Sequence, residues 1–338
     1  MDLLIIKHGA LGDVVRTSYF LPGLHRKYGP DTRIFWLTST AAVDLLRYHP
    51  QIYRLTTDPS ELAPREFDCI LSLDDEHQAA VAATQLKHKQ LVGACLSSDA
   101  LTYPPDSAAW FDMGLISRYG KQEADRLKKA NTRSHAEIFS EILGITIDGA
   151  RFFNSPPVEQ RWQRNLESSY FRIGINPFAG KRWPAKALRT GELHKLIPSL
   201  LDFKDVQQPV KIYLFGEGDD RKQLEGLSSE FAGRVETLDT SVSVLDFAAA
   251  IKSLDYLITS DSLALHLAVA QGVRNLSFYA PTSAAEIDTF GTGVKLCSTS
   301  ADYCSYWKDA DNGTITAERL FAAMREHYPD QTGNGTTG

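Results

Sequence analysis

Residues 3–13, Leu-Leu-Ile-Ile-Lys-His-Gly-Ala-Leu-Gly-Asp, carry a pattern that recurs through both halves of the chain. Residues 3–7 are a short apolar run that ends in a charged residue, and such a run predicts a buried strand. A loop with two glycines follows, and an amphipathic stretch begins at Asp13. This order of strand, glycine loop and helix is the building block of parallel α/β sheets.

The same alternation continues in two series. In the first half, strands are predicted at residues 3–7, 33–38, 69–73 and 90–95, and helices at residues 13–28, 41–48 and 76–87. In the second half, strands are predicted at residues 172–177, 211–215, 256–260 and 275–279, and helices at residues 185–201, 219–231 and 244–252. We therefore expect two α/β parallel sheets, each covered by helices on both faces.

The length of 338 residues favours two domains of roughly 150 residues each. We predict Rossmann-like, doubly wound domains at residues 1–160 and 161–328, with the return of the last helix to the first domain left open. Residues 329–338 are polar and glycine-rich and are predicted to be disordered. Two such domains that face each other form a cleft at the carboxyl ends of their strands, where ligands of this fold bind.

Composition excludes several classes of protein. A net charge of −6 argues against a nucleic-acid partner. No apolar stretch approaches the roughly 20 residues that span a bilayer, and the start enters a strand-like segment without a signal-peptide pattern, so we expect a cytoplasmic protein. The 4 cysteines are too few and too scattered for a disulfide scaffold or a usual zinc site, so no metal centre is expected.

The first loop offers Asp13 as a functional residue. It lacks the spacing of the dinucleotide-binding fingerprint, so a dehydrogenase is not expected. Asp13 suits an N-cap position, which is the structural alternative. A carboxylate at a helix N-terminus is also held ionised by the helix dipole, and in a cleft it is ready to act as a general base for a hydroxyl group.

Two loops of the second half resemble anion and nucleoside sites. The loop after residue 176 contains Gly180, Lys181 and Arg182, which suit a diphosphate, although a solvated basic turn is the alternative. The next loop contains Gly216 and Glu217 before a helix that Asp219 or Asp220 would cap. Glu217 could accept hydrogen bonds from nucleoside hydroxyls.

The fourth loop follows the strand predicted at residues 256–260. A helix capped by Ser260 or Asp261 would leave backbone N–H groups available to an anion, on three residues: Ser262, Leu263 and Ala264. His266 lies one turn further on and is either packed in the core or part of this site.

Residues 103–135 combine basic and aromatic side chains in an acidic protein. The cations are Arg118, Lys121, Arg126, Lys128, Lys129 and Arg133. One interpretation is a solvated helical insertion, and the other is a basic, partly apolar surface for an anionic, membrane-embedded acceptor.

Together these motifs resemble the family 9 glycosyltransferases, the heptosyltransferases of lipopolysaccharide assembly, which have the two-domain GT-B fold. The resemblance extends over nearly the whole chain. It is carried by Gly9 to Asp13, Lys181-Arg182-Trp183-Pro184, Phe215-Gly216-Glu217, Ser260-Asp261-Ser262, His266-Leu267-Ala268, Tyr279-Ala280-Pro281-Thr282 and Ile315-Thr316-Ala317-Glu318.

The resemblance implies an inverting transferase that uses no metal and no cofactor beyond its nucleotide-sugar donor, most simply ADP-heptose. Asp13 would be the base, Lys181 would neutralise the departing diphosphate, and the first domain would face the acceptor. The implied donor site comprises Gly12, Asn176, Gly180, Arg182, Gly216, Glu217, Asp261, Ser262, Leu263, Ala264 and His266. On the second interpretation of residues 103–135, the acceptor, a lipid-linked or other glycan, would meet Lys121, Arg126, Lys128 and Lys129, with peripheral contact at the inner membrane surface.

One departure from the family pattern is Ser262-Leu263, where the family usually has Thr-Gly; the leucine side chain would narrow the approach to the donor. Two other functions stay open. One is another GT-B enzyme, such as a hexosaminyl transferase or a nucleotide-sugar epimerase. The other is a non-catalytic nucleotide-sugar binding protein, against which the presence of both Asp13 and Lys181 counts.

Overall fold

A computed structural model describes residues 1–180 and 183–328, and these residues form two units. Unit 1 consists of Met1–Phe153 together with the short segment Ala285–Asp288. Unit 2 consists of Asn154–Ala284 and the described part of Thr289–Gly338. The tail predicted at residues 329–338 lies outside the described residues.

Unit 1 is built on a parallel sheet. Its strands are β1 (Asp2–Ile6), β2 (Arg33–Leu37), β3 (Arg54–Thr56), β4 (Glu66–Ser72) and β5 (Lys87–Gly93), with a small antiparallel hairpin of β6 (Cys95–Ser97) and β7 (Ala100–Thr102). Its helices are α1 (Leu11–Ser18), α2 (Leu21–Tyr28), α3 (Val43–Leu46), α4 (His77–Gln85), α5 (Ala108–Phe111), α6 (Gly120–Ala130) and α7 (His135–Leu143). The parallel strands lie in the order β3-β2-β1-β4-β5.

Unit 2 repeats this architecture with one more strand. Its strands are β8 (Phe171–Asn176), β9 (Val210–Leu214), β10 (Val235–Thr237), β11 (Tyr256–Ser260), β12 (Asn275–Tyr279) and β13 (Gly293–Cys297). Its helices are α8 (Pro156–Asn165), α9 (Thr190–Leu201), α10 (Gly218–Ser228), α11 (Val244–Lys252), α12 (Leu263–Ala270) and α13 (Ala317–His327). The order β10-β9-β8-β11-β12-β13, parallel throughout, is the doubly wound order of Rossmann folds.

The central strands are apolar on both faces because helices cover both faces of each sheet. Leu3 to Ile6 of β1 are fully buried, and so are Ile173 and Ile175 of β8. The last helix, α13, contributes Leu320 and Met324 to the hydrophobic core of unit 2. Its buried side therefore belongs to the hydrophobic core of the second unit.

The helix predicted at residues 13–28 is two helices, because Pro22 lacks the N–H that would continue a single helix. The helix predicted at residues 185–201 begins only at Thr190, after a short 3-10 turn, Pro184–Lys186. The sequence analysis also missed the short or half-buried edge strands β3, β10 and β13.

The order of the strands determines where ligands bind. In unit 1 the chain winds outwards from β1 to β3 and then returns to place β4 on the other side of β1; in unit 2 the same reversal occurs between β8 and β11. At such a reversal the loops after the two central strands diverge and leave a crevice at their carboxyl ends. Most of the candidate residues follow β1, β8 or β11, next to these reversals. Gly216 and Glu217 follow β9 instead, and the acceptor candidates lie on α6.

A substitution of Gly174, in β8, tests how tightly the side chains pack against the sheet of unit 2. A Cβ atom at this position would lie 2.3 Å from Leu254 Cδ1 and 3.0 Å from Phe215 Cε2. We expect Gly174→Ala to lower the free energy of unfolding by about 1–3 kcal/mol, since overpacking forces a shift. Gly191→Ala is the control, because Gly191 lies in α9 with no heavy atom within 4 Å of the added Cβ. Thermal melts should show a loss only for Gly174→Ala, and equal midpoints would contradict the packing argument.

Candidate functional site

Asp13 lies in the first turn of α1, with two cations beside it. The N-cap of α1 is Ala10, so the alternative that Asp13 caps the helix is wrong. Arg16 Nη2 donates to Asp13 Oδ1 at 2.8 Å, and Lys7 Nζ lies 3.8 Å from Asp13 Oδ2. The Asp13 side chain is nevertheless 37% exposed. The carboxylate is thus held between fixed cations and remains accessible to a ligand.

Asp74, which the sequence analysis missed, anchors the loop that carries Asp13. It follows β4, and its side chain is only 4% exposed. Its Oδ2 accepts hydrogen bonds from the backbone N–H groups of His8 at 2.8 Å and Gly9 at 3.2 Å, and it lies 3.5 Å from Lys7 Nζ. The loops after β1 and β4, which flank the strand reversal, are therefore tied together by one carboxylate.

In unit 2 the corresponding position is occupied by Asp261, directly after β11. Its Oδ2 accepts hydrogen bonds from Lys186 Nζ at 2.7 Å and Thr282 Oγ1 at 2.8 Å. Burial opposes ionisation of this carboxyl, but the nearby Lys186 and His266 and the two hydrogen bonds outweigh burial and lower the pKa of Asp261 to about 2. Asp261 is therefore a carboxylate at neutral pH, with its charge compensated mainly by Lys186.

The start of α12 differs from the prediction. Its N-cap is Ser262, so the expected caps Ser260 and Asp261 are both wrong. Asn176 Nδ2 donates to Ser262 Oγ at 3.2 Å and to Thr259 Oγ1 at 3.1 Å, which joins the end of β8 to the loop after β11. Three of the predicted donor residues are thus brought together at the reversal: Asn176, Asp261 and Ser262.

The other residues predicted at α12 take different positions. Leu263 is the first residue of the helix and is half-buried, whereas the Ala264 side chain is buried. His266, the fourth residue of α12, is buried, and its charge contributes to the low pKa of Asp261. It therefore acts on the site electrostatically from within the core. Gly12, the second residue of α1, lies in the other unit.

The loop after β9 has a structural reason for its glycine. A Cβ on Gly216 would lie 2.8 Å from Leu224 Cδ1, so the glycine permits the close approach of α10. Glu217 is the N-cap of α10 and is exposed, and Asp219 and Asp220 follow in the first turn; the expectation that one of these aspartates caps the helix is wrong.

The basic loop after β8 is described only in part. Gly180 has open space around its Cα, since no heavy atom lies within 4 Å of an added Cβ. Lys181 and Arg182 lie outside the described residues, so their predicted roles stay predictions.

The basic segment, residues 103–135, is less positively charged than its cations alone suggest. Lys121 pairs with Asp125 at 2.6 Å and Arg126 with Glu123 at 2.6 Å, all on α6. Lys128 and Lys129 lie at the end of the same helix.

Lys128 also links the basic segment electrostatically to the end of β4. Desolvation by the surrounding protein raises the pKa of the Asp75 carboxyl, and the positive charges of Lys7 and Lys128 partly offset this rise. The positive charge of Lys128 therefore acts on the Asp75 carboxyl.

Within residues 1–180 and 183–328, no group of three or more His, Cys, Asp or Glu side chains is placed to hold a metal ion. No helix in this part of the chain is both long enough and apolar enough to cross a membrane. Within the same residues, the four cysteines form no disulfide with one another.

Two Rossmann-like units, each with polar loops at the carboxyl edge of a parallel sheet, are the two components of the GT-B fold. The family model described as Glycosyltransferase family 9 (heptosyltransferase) matches residues 172–312, which lie mostly in unit 2. The matched residues are similar to this family, in agreement with the resemblance drawn from the motifs. No match was found among curated protein sequences.

Solved structures agree with this fold over almost the full length. A glycosyl transferase family 9 protein from Veillonella parvula is 16% identical, with 97% of each chain covered and a TM-score of 0.70. Heptosyltransferase WaaC of E. coli, solved with ADP, is 15% identical over 97% of this chain and 100% of that chain, with a TM-score of 0.65. The ADP-heptose lps heptosyltransferase II of E. coli is 14% identical over 97% and 98%, with a TM-score of 0.65. These likenesses confirm the predicted GT-B fold.

The low pKa of Asp261 predicts how its replacement changes stability with pH. A carboxyl whose pKa falls from 3.8 to about 2 on folding stabilises the protein by about 2 kcal/mol above pH 5, and this contribution disappears as the pH falls through about 2. Asp261→Asn should therefore lower the free energy of unfolding at neutral pH, and the deficit should shrink between pH 4 and pH 2.

Denaturant titrations at several pH values measure this deficit. Asp219→Asn is the control, because the Asp219 side chain is 95% exposed. It should show a deficit near zero at every pH. A deficit for Asp261→Asn that does not change with pH would contradict the charge compensation described above.

Proposed function

We propose that the protein is an inverting glycosyltransferase that moves a heptose, or a related sugar, from ADP-heptose onto a lipopolysaccharide-core or other glycan acceptor without a metal ion. The observation that carries the proposal is Asp13. It combines an accessible carboxylate with two cations, Arg16 at 2.8 Å and Lys7 at 3.8 Å, at the carboxyl end of a central strand. This arrangement suits a base that must be ionised before the acceptor arrives.

In the proposed reaction, the acceptor oxygen forms a bond to the anomeric carbon while the bond from that carbon to the diphosphate breaks on the opposite face. Asp13 accepts the proton of the acceptor hydroxyl. The departing diphosphate carries the electron pair away, and Lys181 and the N–H groups at the start of α12 stabilise its charge. Such electrostatic stabilisation is usually the largest contribution to catalysis.

The donor is proposed to bind unit 2, where the loops after the neighbouring strands β9, β8 and β11 lie side by side. Glu217 would accept hydrogen bonds from the ribose, and Gly180 and Arg182 would approach the diphosphate. The names of the two E. coli structures, one with ADP and one an ADP-heptose enzyme, support an adenine nucleotide donor.

The acceptor is proposed to meet the basic segment of unit 1. Leu115 and Tyr119 precede α6 and are 77% and 60% exposed. Apolar and basic side chains therefore share one stretch of surface, which suits a lipid-linked anionic acceptor at the inner membrane surface.

Asp13→Asn tests the base. We expect turnover to fall by about 100-fold or more, because the amide cannot accept the proton, while the dissociation constant of the nucleotide stays unchanged. Asp44→Asn is a matched control, since Asp44 also lies in a first helical turn, pairs with an arginine three residues later at 3.0 Å and is 38% exposed. Activity of Asp13→Asn within a few-fold of that of Asp44→Asn would refute the assignment.

The basic segment is tested by changing Lys121, Arg126, Lys128 and Lys129 together to glutamine. The Michaelis constant for the acceptor should rise and lose much of its salt dependence, because screened charges act on encounter. The donor constant should not change. A control that removes the same numbers of lysines and arginines from unit 2 changes four exposed residues: Lys195, Lys204, Lys222 and Arg325. Equal acceptor kinetics in both variants at low salt would show that the basic segment is an ordinary solvated face.

A further inference from the structure

Lys186 is held rigidly at the strand reversal of unit 2. It ends the 3-10 turn Pro184–Lys186, and this turn is fixed by Asn312, whose Nδ2 donates to the carbonyl oxygens of Ala185 at 3.4 Å and Ala187 at 2.8 Å. The Lys186 side chain is only 14% exposed. The fixed turn and the burial of the side chain therefore hold the Lys186 ammonium group in one position.

The ammonium group makes two contacts with the same residue. Lys186 Nζ donates to Asp261 Oδ2 at 2.7 Å and to the backbone carbonyl oxygen of Asp261 at 3.0 Å. That carbonyl belongs to the peptide that leads into Ser262, the N-cap of α12. Lys186 therefore fixes both the charge and the backbone at the start of this helix.

Without the positive charge of Lys186, the negative charge of Asp261 would oppose the binding of an anion at the start of α12. An ionised carboxylate beside a helix N-terminus competes with any anion for the positive end of the helix dipole and repels it. Thr282 donates a hydrogen bond to the carboxylate but carries no charge. Lys186 is thus a compensating cation in direct contact with Asp261.

We propose that Lys186 is a positioning residue for the donor, which neutralises Asp261 so that the start of α12 accepts a nucleoside diphosphate. The inference rests on the proposed donor site in unit 2. It deepens that site by adding a residue that acts through Asp261, and it predicts an effect that depends on the charge of the ligand.

Calorimetric titrations with ADP and with adenosine distinguish this role from a general role in folding. Lys186→Met should weaken ADP binding by about tenfold but adenosine binding by no more than about twofold, since only ADP carries the charge that Asp261 repels. Lys186→Met/Asp261→Asn should restore ADP binding to within about threefold of the parent protein.

Lys211→Met is the matched control. Lys211 is also a largely buried lysine of unit 2, 9% exposed and paired with Glu167 and Glu236, but it lies near the amino end of β9. Its replacement should leave the affinities for ADP and adenosine unchanged.

The outcomes separate the inference from the proposed function. Equal losses of ADP and adenosine binding in Lys186→Met, or no loss of ADP binding, would overturn the role of Lys186 and leave the donor site standing.

If Lys186→Met does not fold, the inference is tested with Asp261→Asn. The uncompensated lysine of this variant should tighten ADP binding, and unchanged or weaker binding would overturn the inference. If the parent protein binds UDP but not ADP, the same variants are compared with UDP and uridine. Failure of the parent protein to bind either diphosphate would overturn both proposals.

Discussion

One aspartate just after the fourth strand of each sheet ties together the loops on which the candidate site depends. In unit 1, Asp74 holds the loop after β1 through the backbone N–H groups of His8 and Gly9. In unit 2, Asp261 holds the turn that follows β8 through the ammonium group of Lys186. A reversal of strand order opens a crevice between such loops. The aspartates determine how these loops are arranged beside it.

The two aspartates, Asp74 and Asp261, differ in how their negative charges are balanced. Asp74 is satisfied largely by backbone donors, and the loop that it holds leads to Asp13, a carboxylate that remains partly exposed between Lys7 and Arg16. Asp261 is instead paired directly with Lys186, so its negative charge is compensated. Under the proposed function this difference is useful, because a base must be accessible to the acceptor, whereas the site of a diphosphate must not be negative.

Much of this architecture was predictable from the sequence. Parallel strands that are buried over most of their length leave apolar runs in the sequence, and β1, β4, β8 and β11 were predicted for that reason. Edge strands such as β3 and β10 are only three residues long and were missed. Loops after strands were identified through their glycines and charges, but the partners within the loops were not. Asp74 carried a usable signal, since it directly follows an apolar run, whereas Lys186 was hidden inside a predicted helix.

The most direct test of the account is whether unit 2 binds a nucleotide sugar. A panel of nucleotide diphosphate sugars and free nucleotides, screened by thermal shift, measures this on the intact chain, because a ligand that binds only the folded state raises the melting temperature. The account predicts a concentration-dependent rise with ADP-heptose or a closely related ADP-sugar, and a smaller rise with ADP. No shift with any nucleotide diphosphate sugar, at concentrations up to the millimolar range, would contradict it.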